Sequence, residues 1–260
     1  MEDNVSQFLS AAVFIAKKAG SLLRENMERD VHIEFKGDID LVTEMDKKSE
    51  KMITQYLEEQ FPSHNIVAEE GGGIDQGSQY VWYIDPLDGT SNYAYHIPWF
   101  SVSIGLHKDG EPIAGVIYHP VNDELFTAEA GNGAFLNGKP IGVSHRDKVE
   151  DSLFATGFPY YVKKKPHRVL ENFKRFLLSS RGVRRFGSAA IDLAYVACGK
   201  YDGFWEEGLK SWDTGAGILL VREAGGSVTD YPGKRYTVFC DTIVASNGKI
   251  HDEMLKRITI

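Results

Sequence analysis

The sequence predicts a mixed α and β fold: two helices, then a meandering sheet, then an alternating α/β half. Three features carry that expectation. Apolar residues recur at helical spacing through the first sixty or so positions. From residue 65 they give way to short apolar runs punctuated by Gly and Asn-Gly. Beyond about residue 145 the two patterns alternate.

Over 4–29, Val5, Phe8, Ala12, Ile15, Ala19, Leu22 and Leu23 line one face of a helix. A loop through Lys36-Gly37-Asp38 follows. Thr43 suits the N-cap of a second helix, with Asp46 in the first turn, where acids are favoured. Met45, Met52, Ile53, Tyr56 and Leu57 form its apolar side, and Pro62 stops it. Strands are expected at 65–69, 80–85, 100–106, 112–118, 124–130 and 134–136, the last closed by Asn137-Gly138. Strands at 152–156, 183–186, 201–206, 226–229 and 242–246 then alternate with helices at 168–179, 188–198, 213–224 and 249–257. No repeat, low-complexity tract or linker-like stretch divides the chain. An N-terminal half, 1–145, and a C-terminal half, 146–260, are therefore expected to share one interface as one compact unit.

The 260 residues are 42% hydrophobic and 25% charged, enough for a core without staples and unlike a disordered or fibrous chain. No apolar run approaches the ~18 residues of a membrane span. Met1-Glu2-Asp3-Asn4 shows no signal-peptide pattern, and Cys198 and Cys240 are too few for a disulfide framework. A cytoplasmic protein is the expectation. Lys and Arg number 29 against 37 Asp and Glu, a net charge of −8, which is a poor basis for binding nucleic acid or an anionic membrane. Phosphate would have to be bound locally, with help from metal ions.

The informative residues are carboxylates at strand ends and helix starts. In Tyr83-Ile84-Asp85-Pro86-Leu87-Asp88-Gly89-Thr90-Ser91-Asn92 an apolar strand runs into Asp85, and Pro86 is expected to end it. Thr90, Ser91 and Asn92 can open a short helix or turn with free N–H groups. Two carboxylates beside exposed backbone donors suit an oxygen-ligated cation and a phosphate together. A strand, a turn and an N-cap account for the same residues. Ala68-Glu69-Glu70-Gly71 ends another short strand in acids, Asp40 to Asp46 opens a helix, and Ser211-Trp212-Asp213, a fourth cluster, opens the segment 214–224; each alone is also an ordinary turn or cap. Gathering Glu69, Asp85, Asp88 and Asp213 would be costly without cations, and with Mg²⁺ it becomes a hard-oxygen site. The eight histidines have no zinc-like spacing and read as core or surface residues. There is no P-loop motif and no nucleophile-elbow motif.

Taken together, Asp40-Leu41-Val42-Thr43-Glu44-Met45-Asp46, Ala68-Glu69-Glu70, Trp82 to Tyr95 and Trp212 to Gly226 resemble the inositol monophosphatase family over nearly the whole chain. Ala155-Thr156-Gly157-Phe158-Pro159 and Gly187 to Ala197 resemble its bacterial SuhB-type branch most closely. The resemblance implies a layered α-β-α-β-α sandwich of the inositol monophosphatase and fructose-1,6-bisphosphatase type. It implies a first Mg²⁺ on Glu69, Asp85 and the Leu87 carbonyl, a second on Asp85, Asp88 and Asp213, and a weaker third near Glu69. Asp46 and Thr90 match the pair that orients and deprotonates the attacking water. Gly89, Thr90 and Ser91 match the phosphate cradle. Gly187, Ser188, Ala189 and Glu206 match contacts to the hydroxyl-bearing part of the substrate, and Asp88 adjoins them. Lys36 matches a loop that closes over the site. A homodimer and inhibition by lithium are implied too.

The resemblance points to hydrolysis of myo-inositol monophosphate. Fructose 1,6-bisphosphate, NADP, histidinol phosphate and adenosine bisphosphates are alternative substrates within the same family. Glu206 favours a cyclitol or sugar, or else is an edge-strand acid at the surface. Arg184 and Arg185 suit a second phosphate, or else are a solvated pair. A role of another class is a transcription-associated binding protein, as SuhB-type relatives suggest; no basic stripe supports direct RNA contact. One departure stands out: Gly215 replaces the small residue, usually Ala, that follows Trp212-Asp213-Thr214 in the family, and it is expected to loosen that helix slightly.

Overall fold

The structure, a computed structural model, describes residues 5–29, 33–35, 41–71 and 73–260. Lys36, its loop and Asp40 lie outside the described residues. In chain order the elements are α1 (Val5–Asn26), β1 (Ile33–Phe35), β2 (Leu41–Thr43), α2 (Glu44–Gln60), β3 (Asn65–Ala68), β4 (Tyr80–Asp88) and α3 (Thr90–Ala94). Then come β5 (Ser101–Lys108), β6 (Glu111–His119), β7 (Glu124–Glu129), β8 (Gly133–Leu136), β9 (Lys139–Pro140) and, after a 3₁₀ turn at Val149–Asp151, β10 (Leu153–Thr156). The remainder is α4 (Pro166–Ser179), β11 (Gly182–Arg184), α5 (Ala189–Ala197), β12 (Gly203–Glu207), α6 (Ser211–Thr214), α7 (Gly217–Glu223), β13 (Ser227–Thr229), β14 (Thr242–Ser246) and α8 (His251–Arg257).

Strands β3 to β9 form one sheet in chain order, parallel between β3 and β4 and antiparallel from there on. The second sheet runs β11-β10-β12-β14-β13, with β10 parallel to both neighbours. Helices α1 and α2 bury Ala12, Ile15, Leu23, Ile53 and Leu57 against one face of the large sheet, where Trp82, Ile84, Ile104 and Val116 receive them. Helices α5 and α7 pack between the two sheets, and α4 and α8 cover the outside of the small one. The layers therefore run α-β-α-β-α. Removing this apolar surface from water is the main stabilising term, at about 25 cal/mol per Å².

Three expectations change in the fold. Strand β4 does not end at Pro86. It runs to Asp88, and its register against β5 slips between Asp85 opposite Ser103 and Asp88 opposite Ser101. Pro86 sits in that bulge, where a missing donor breaks no ladder bond. The helix expected over 213–224 starts at Ser211 and is interrupted between α6 and α7. There His107 Nε2 lies 2.9 Å from the Gly215 carbonyl and takes it from the helical ladder. The break falls at Gly215, and packing also asks for a glycine there. A methyl group on it would stand 2.8 Å from Tyr83 Cβ, and one on Gly105 would stand 2.4 Å from the Gly215 carbonyl carbon. The two glycines let the helix lie directly on the sheet. Finally, the antiparallel pair β1–β2 lies where only a loop was expected. Its three-residue strands are too short to show a period.

Candidate active site

A cleft of about 320 Å³ opens where the end of β4, the start of α3, the start of α5, β12 and α6 meet. Glu69, Asp85, Leu87, Asp88, Gly89, Thr90, Ser91, Gly187, Ser188, Ala189, Glu206 and Asp213 all line it. Strand ends and helix starts deliver them, because both leave backbone groups and short polar side chains free to face one opening.

Asp46 does not itself line the cleft; behind Thr90 it closes a capping box at the start of α2. The Thr43 N–H and hydroxyl donate to its Oδ2 at 2.8 and 2.5 Å, and the Met45 N–H donates to Thr43 Oγ1. Its other oxygen accepts from the Thr90 hydroxyl at 2.8 Å. Thr90 Oγ1 also lies 3.0 Å from the Leu87 carbonyl. Burial pushes the Asp46 carboxyl up to about 6, against the bonds from Thr43 and Thr90, which lower it. The cap and the proton-accepting pair expected from the sequence are one object.

Asp85 is sealed from solvent, and burial followed by the charges of Glu69, Asp88 and Asp213 holds its carboxyl well above the usual range. Burial raises Asp88 to about 6, although Ser188 Oγ at 2.5 Å and the Ala190 N–H at 2.8 Å both donate to its Oδ2. Asp213 rises to about 7 through burial, with the Lys210 N–H, 2.6 Å away, acting the other way. Among the described residues no three such side chains are already drawn together as a finished metal cage. The donor set still fits a hard divalent cation. It is all oxygen, buried at Asp85 and Asp88 and half-buried at Glu69 and Asp213, and mutually repelling, with few cationic side chains in the cleft.

Gly89 joins β4 to α3 with φ +103°, and a methyl group on it would stand 2.9 Å from the Trp99 carbonyl. Only glycine serves a left-handed turn packed that closely. It turns the chain so that the first N–H groups of α3, which have no helical acceptors, come at the cleft wall. Glu206 is not on an edge. Its strand β12 lies between β10 and β14, the carboxyl is buried, and burial with the charges of Asp213 and Asp88 raises it to about 8. Gly157 lies so close beneath it that a methyl group there would fall 2.1 Å from Glu206 Oε1. The arginine pair splits: Arg184 is exposed on β11, while Arg185 lines the cleft with its guanidinium 5.6 Å from the Phe158 ring. Of the histidines, His64, His107, His119 and His251 are buried in the core, and none lines the cleft. Sequence reasoning missed Asp192 and Gly157. The signal for Asp192 was available, as the one charged residue in the apolar run Ala189–Ala197.

A family model described as the inositol monophosphatase family matches residues 4–259. The chain belongs to the inositol monophosphatase family. An inositol-1-monophosphatase from Mesorhizobium japonicum is 42% identical over 256 residues, spanning 97% of this chain and 96% of the relative. The Nus factor SuhB of Pseudomonas aeruginosa is 41% identical over 257 residues, 96% of this chain and 95% of that one. The solved inositol monophosphatase of an Anabaena (Nostoc) species superposes with a TM-score of 0.90 at 42% identity, covering 98% of this chain and 96% of that one. The layered sandwich is thus the family fold. Among the described residues, no helix of this inositol monophosphatase family member is long and apolar enough to cross a membrane.

Proposed function

We propose that the chain hydrolyses phosphate monoesters of polyhydroxy compounds, with myo-inositol monophosphate as the leading substrate and Mg²⁺ as the required ion. The observation that carries this is the meeting of Glu69, Asp85, Asp88 and Asp213 in one cleft that Thr90 also lines, with Asp46 bonded behind it. Glu69, Asp85 and the Leu87 carbonyl would hold a first ion, Asp85, Asp88 and Asp213 a second, and Glu69 would share in a weaker third. When bound, Mg²⁺ supplies charge neutralisation for the phosphate and the leaving oxygen, and acidifies the attacking water. The Thr90 hydroxyl is placed to accept a proton from that water while handing its own to Asp46 Oδ1, 2.8 Å away. A carboxyl raised to about 6 accepts a proton more readily than an ordinary one. The Gly89, Thr90 and Ser91 amides would cradle the phosphate oxygens without a cationic side chain. This suits a chain whose net charge is −8. Gly187, Ser188, Ala189 and Glu206 would face the hydroxyls of the leaving group.

The purified protein should release phosphate from inositol 1-phosphate with Mg²⁺ and stop with EDTA, and lithium should inhibit it. Fructose 1,6-bisphosphate, NADP, histidinol phosphate and adenosine 3′,5′-bisphosphate complete the panel. Folded protein that releases phosphate from none of them would overturn the proposal. A homodimer goes with it. Tyr95, Ile97 and Phe186 are exposed around Asn92, whose side chain donates to the Trp99 and Phe186 carbonyls, and they form an apolar patch beside the cleft. Sedimentation tests that point. Two half-buried free cysteines agree with a reducing, cytoplasmic setting. The Nus factor name of some relatives supports a second reading, a partner in transcription complexes. A folded Asp88→Asn chain that still complements a loss-of-gene phenotype would favour it.

A further inference from the structure

Asp192 is a buried acid that the proposed chemistry does not use. It is the only charged residue in α5, all nine residues of which are buried. Helix α5 is capped by Ser188, whose hydroxyl is committed to Asp88, and Asp192 lies one turn further on. Its side chain lines the cleft, 1% exposed, and its Oδ1 accepts no hydrogen bond among the described residues. Three other buried acids differ. Asp46 accepts from Thr43 and Thr90, Asp88 from Ser188 and Ala190, and Glu207 from Arg168 and Tyr161.

An unpartnered buried carboxyl is expensive, and here its electrostatic neighbours include two further acids, Glu206 and Asp88. Arg185 is the nearby cation, yet it is exposed, stacks near Phe158 and makes no ion pair with Asp192 among the described contacts. The surrounding fold does not explain the carboxyl. A ligand that brings donors does. Carboxyl oxygens at Asp192 and Glu206 match the hydroxyl groups of a cyclitol or sugar, which donate and need no counter-charge.

We infer that Asp192 is a specificity-determining residue, which together with Glu206 takes hydrogen bonds from the substrate's hydroxyl groups and so selects hydroxyl-rich phosphate esters. The inference rests on the phosphatase reading above. A polyol satisfies the buried oxygen, whereas a plain ester leaves it as it is in the free site, so the selection lies in what the polyol gains.

The test compares inositol 1-phosphate with p-nitrophenyl phosphate, both with Mg²⁺, in the wild type, Asp192→Asn and Asp192→Ser. Both variants should raise KM for inositol 1-phosphate by about tenfold, while kinetics on p-nitrophenyl phosphate stay within about twofold. The melting temperature of Asp192→Asn should hold or rise, because an unpaired buried carboxyl has gone. Asp192→Ser separates the lost acceptor from any effect of a misplaced amide. Equal losses on both esters together with a lower melting temperature would make Asp192 structural and overturn the inference. So would unchanged selectivity in both folded variants. A wild type that hydrolyses neither ester overturns the phosphatase reading itself, and this inference with it.

Discussion

Asp202 and Asp85 are almost equally hidden from solvent, at 0% and 2% exposure, and they are kept in opposite ways. Asp202 is surrounded by donors. The Ser144 hydroxyl, Arg146 and the Leu153 N–H all reach its carboxylate. Asp85 is surrounded by other acids, and one backbone N–H, that of Leu87, donates to it at 3.0 Å. Asp202 belongs with carboxylates tied into the fold by several donors, and Asp85 with the acids of the cleft, which are proposed to hold cations and whose crowding the fold bears without them.

The sharpest way to break this comparison is to neutralise one acid from each set. Asp88→Asn should cut Mg²⁺-dependent turnover by about 10²–10³-fold or more, with a melting temperature within a few degrees of the wild type. Steady-state kinetics beside calorimetry checks both halves of that statement. A folded variant with normal turnover would remove Asp88 from the metal set. Asp202→Ala should do the reverse. It leaves the Leu153 N–H and Ser144 without their acceptor, costs about 1–3 kcal/mol and lowers the melting temperature by about 2–12 °C. Turnover per folded molecule should be preserved.

A smaller effect is expected from Gly157→Ala. The added methyl group must displace the Glu206 carboxyl, because the two would overlap at 2.1 Å. KM for a polyol ester should rise by about tenfold with kcat changed less, since Glu206 is proposed to face the leaving group and not the phosphate. A loss confined to kcat would contradict that placement.

The smallest effect concerns a buried group that stays neutral and needs no counter-charge. His64 Nδ1 accepts the Trp82 indole N–H at 3.1 Å, and the imidazole stacks on Tyr80 with centroids 4.5 Å apart. Burial holds its pKa below the usual 6.5. The folded state therefore binds fewer protons than the unfolded chain just below pH 6.5. The stabilising contribution is complete above that pH and is lost as pH falls through the folded value. Thermal melts between pH 7.5 and 5 should show the decline, and His64→Gln, which keeps an acceptor for Trp82, should flatten part of it. An identical slope in both proteins would assign the acid sensitivity to other groups.

How much of this was legible depended on how local each feature is. The capping box of Thr43 and Asp46 spans four residues and could be read from spacing alone. The strand entering Asp85 was equally plain, but its passage through Pro86 was not, because a bulge is defined by the partner strand. Glu206 could be read as a sugar contact or as an edge acid, and only β10 and β14 on either side remove the edge, because strand order is not written in any short stretch. Gly215 looked like a weakness. The packing reason for it, the Tyr83 side chain and Gly105 pressed against it, comes from residues more than a hundred positions away. Asp192 was visible as an odd charge in an apolar helix, and only the cleft shows which ligand such a charge suits.

The bond from Ser188 Oγ to Asp88 Oδ2 joins groups one hundred residues apart in the chain. During synthesis Asp88 therefore leaves the ribosome well before its partner is made. At about 5–20 residues per second the wait is roughly 5–20 s. Through that interval the nascent chain already holds Glu69, Asp85, Asp88, Thr90 and Asp46. It still lacks Ser188, Glu206 and Asp213. A polypeptide released before Ser188 would carry Asp46, Thr90 and the Gly89 turn and could not complete the cleft.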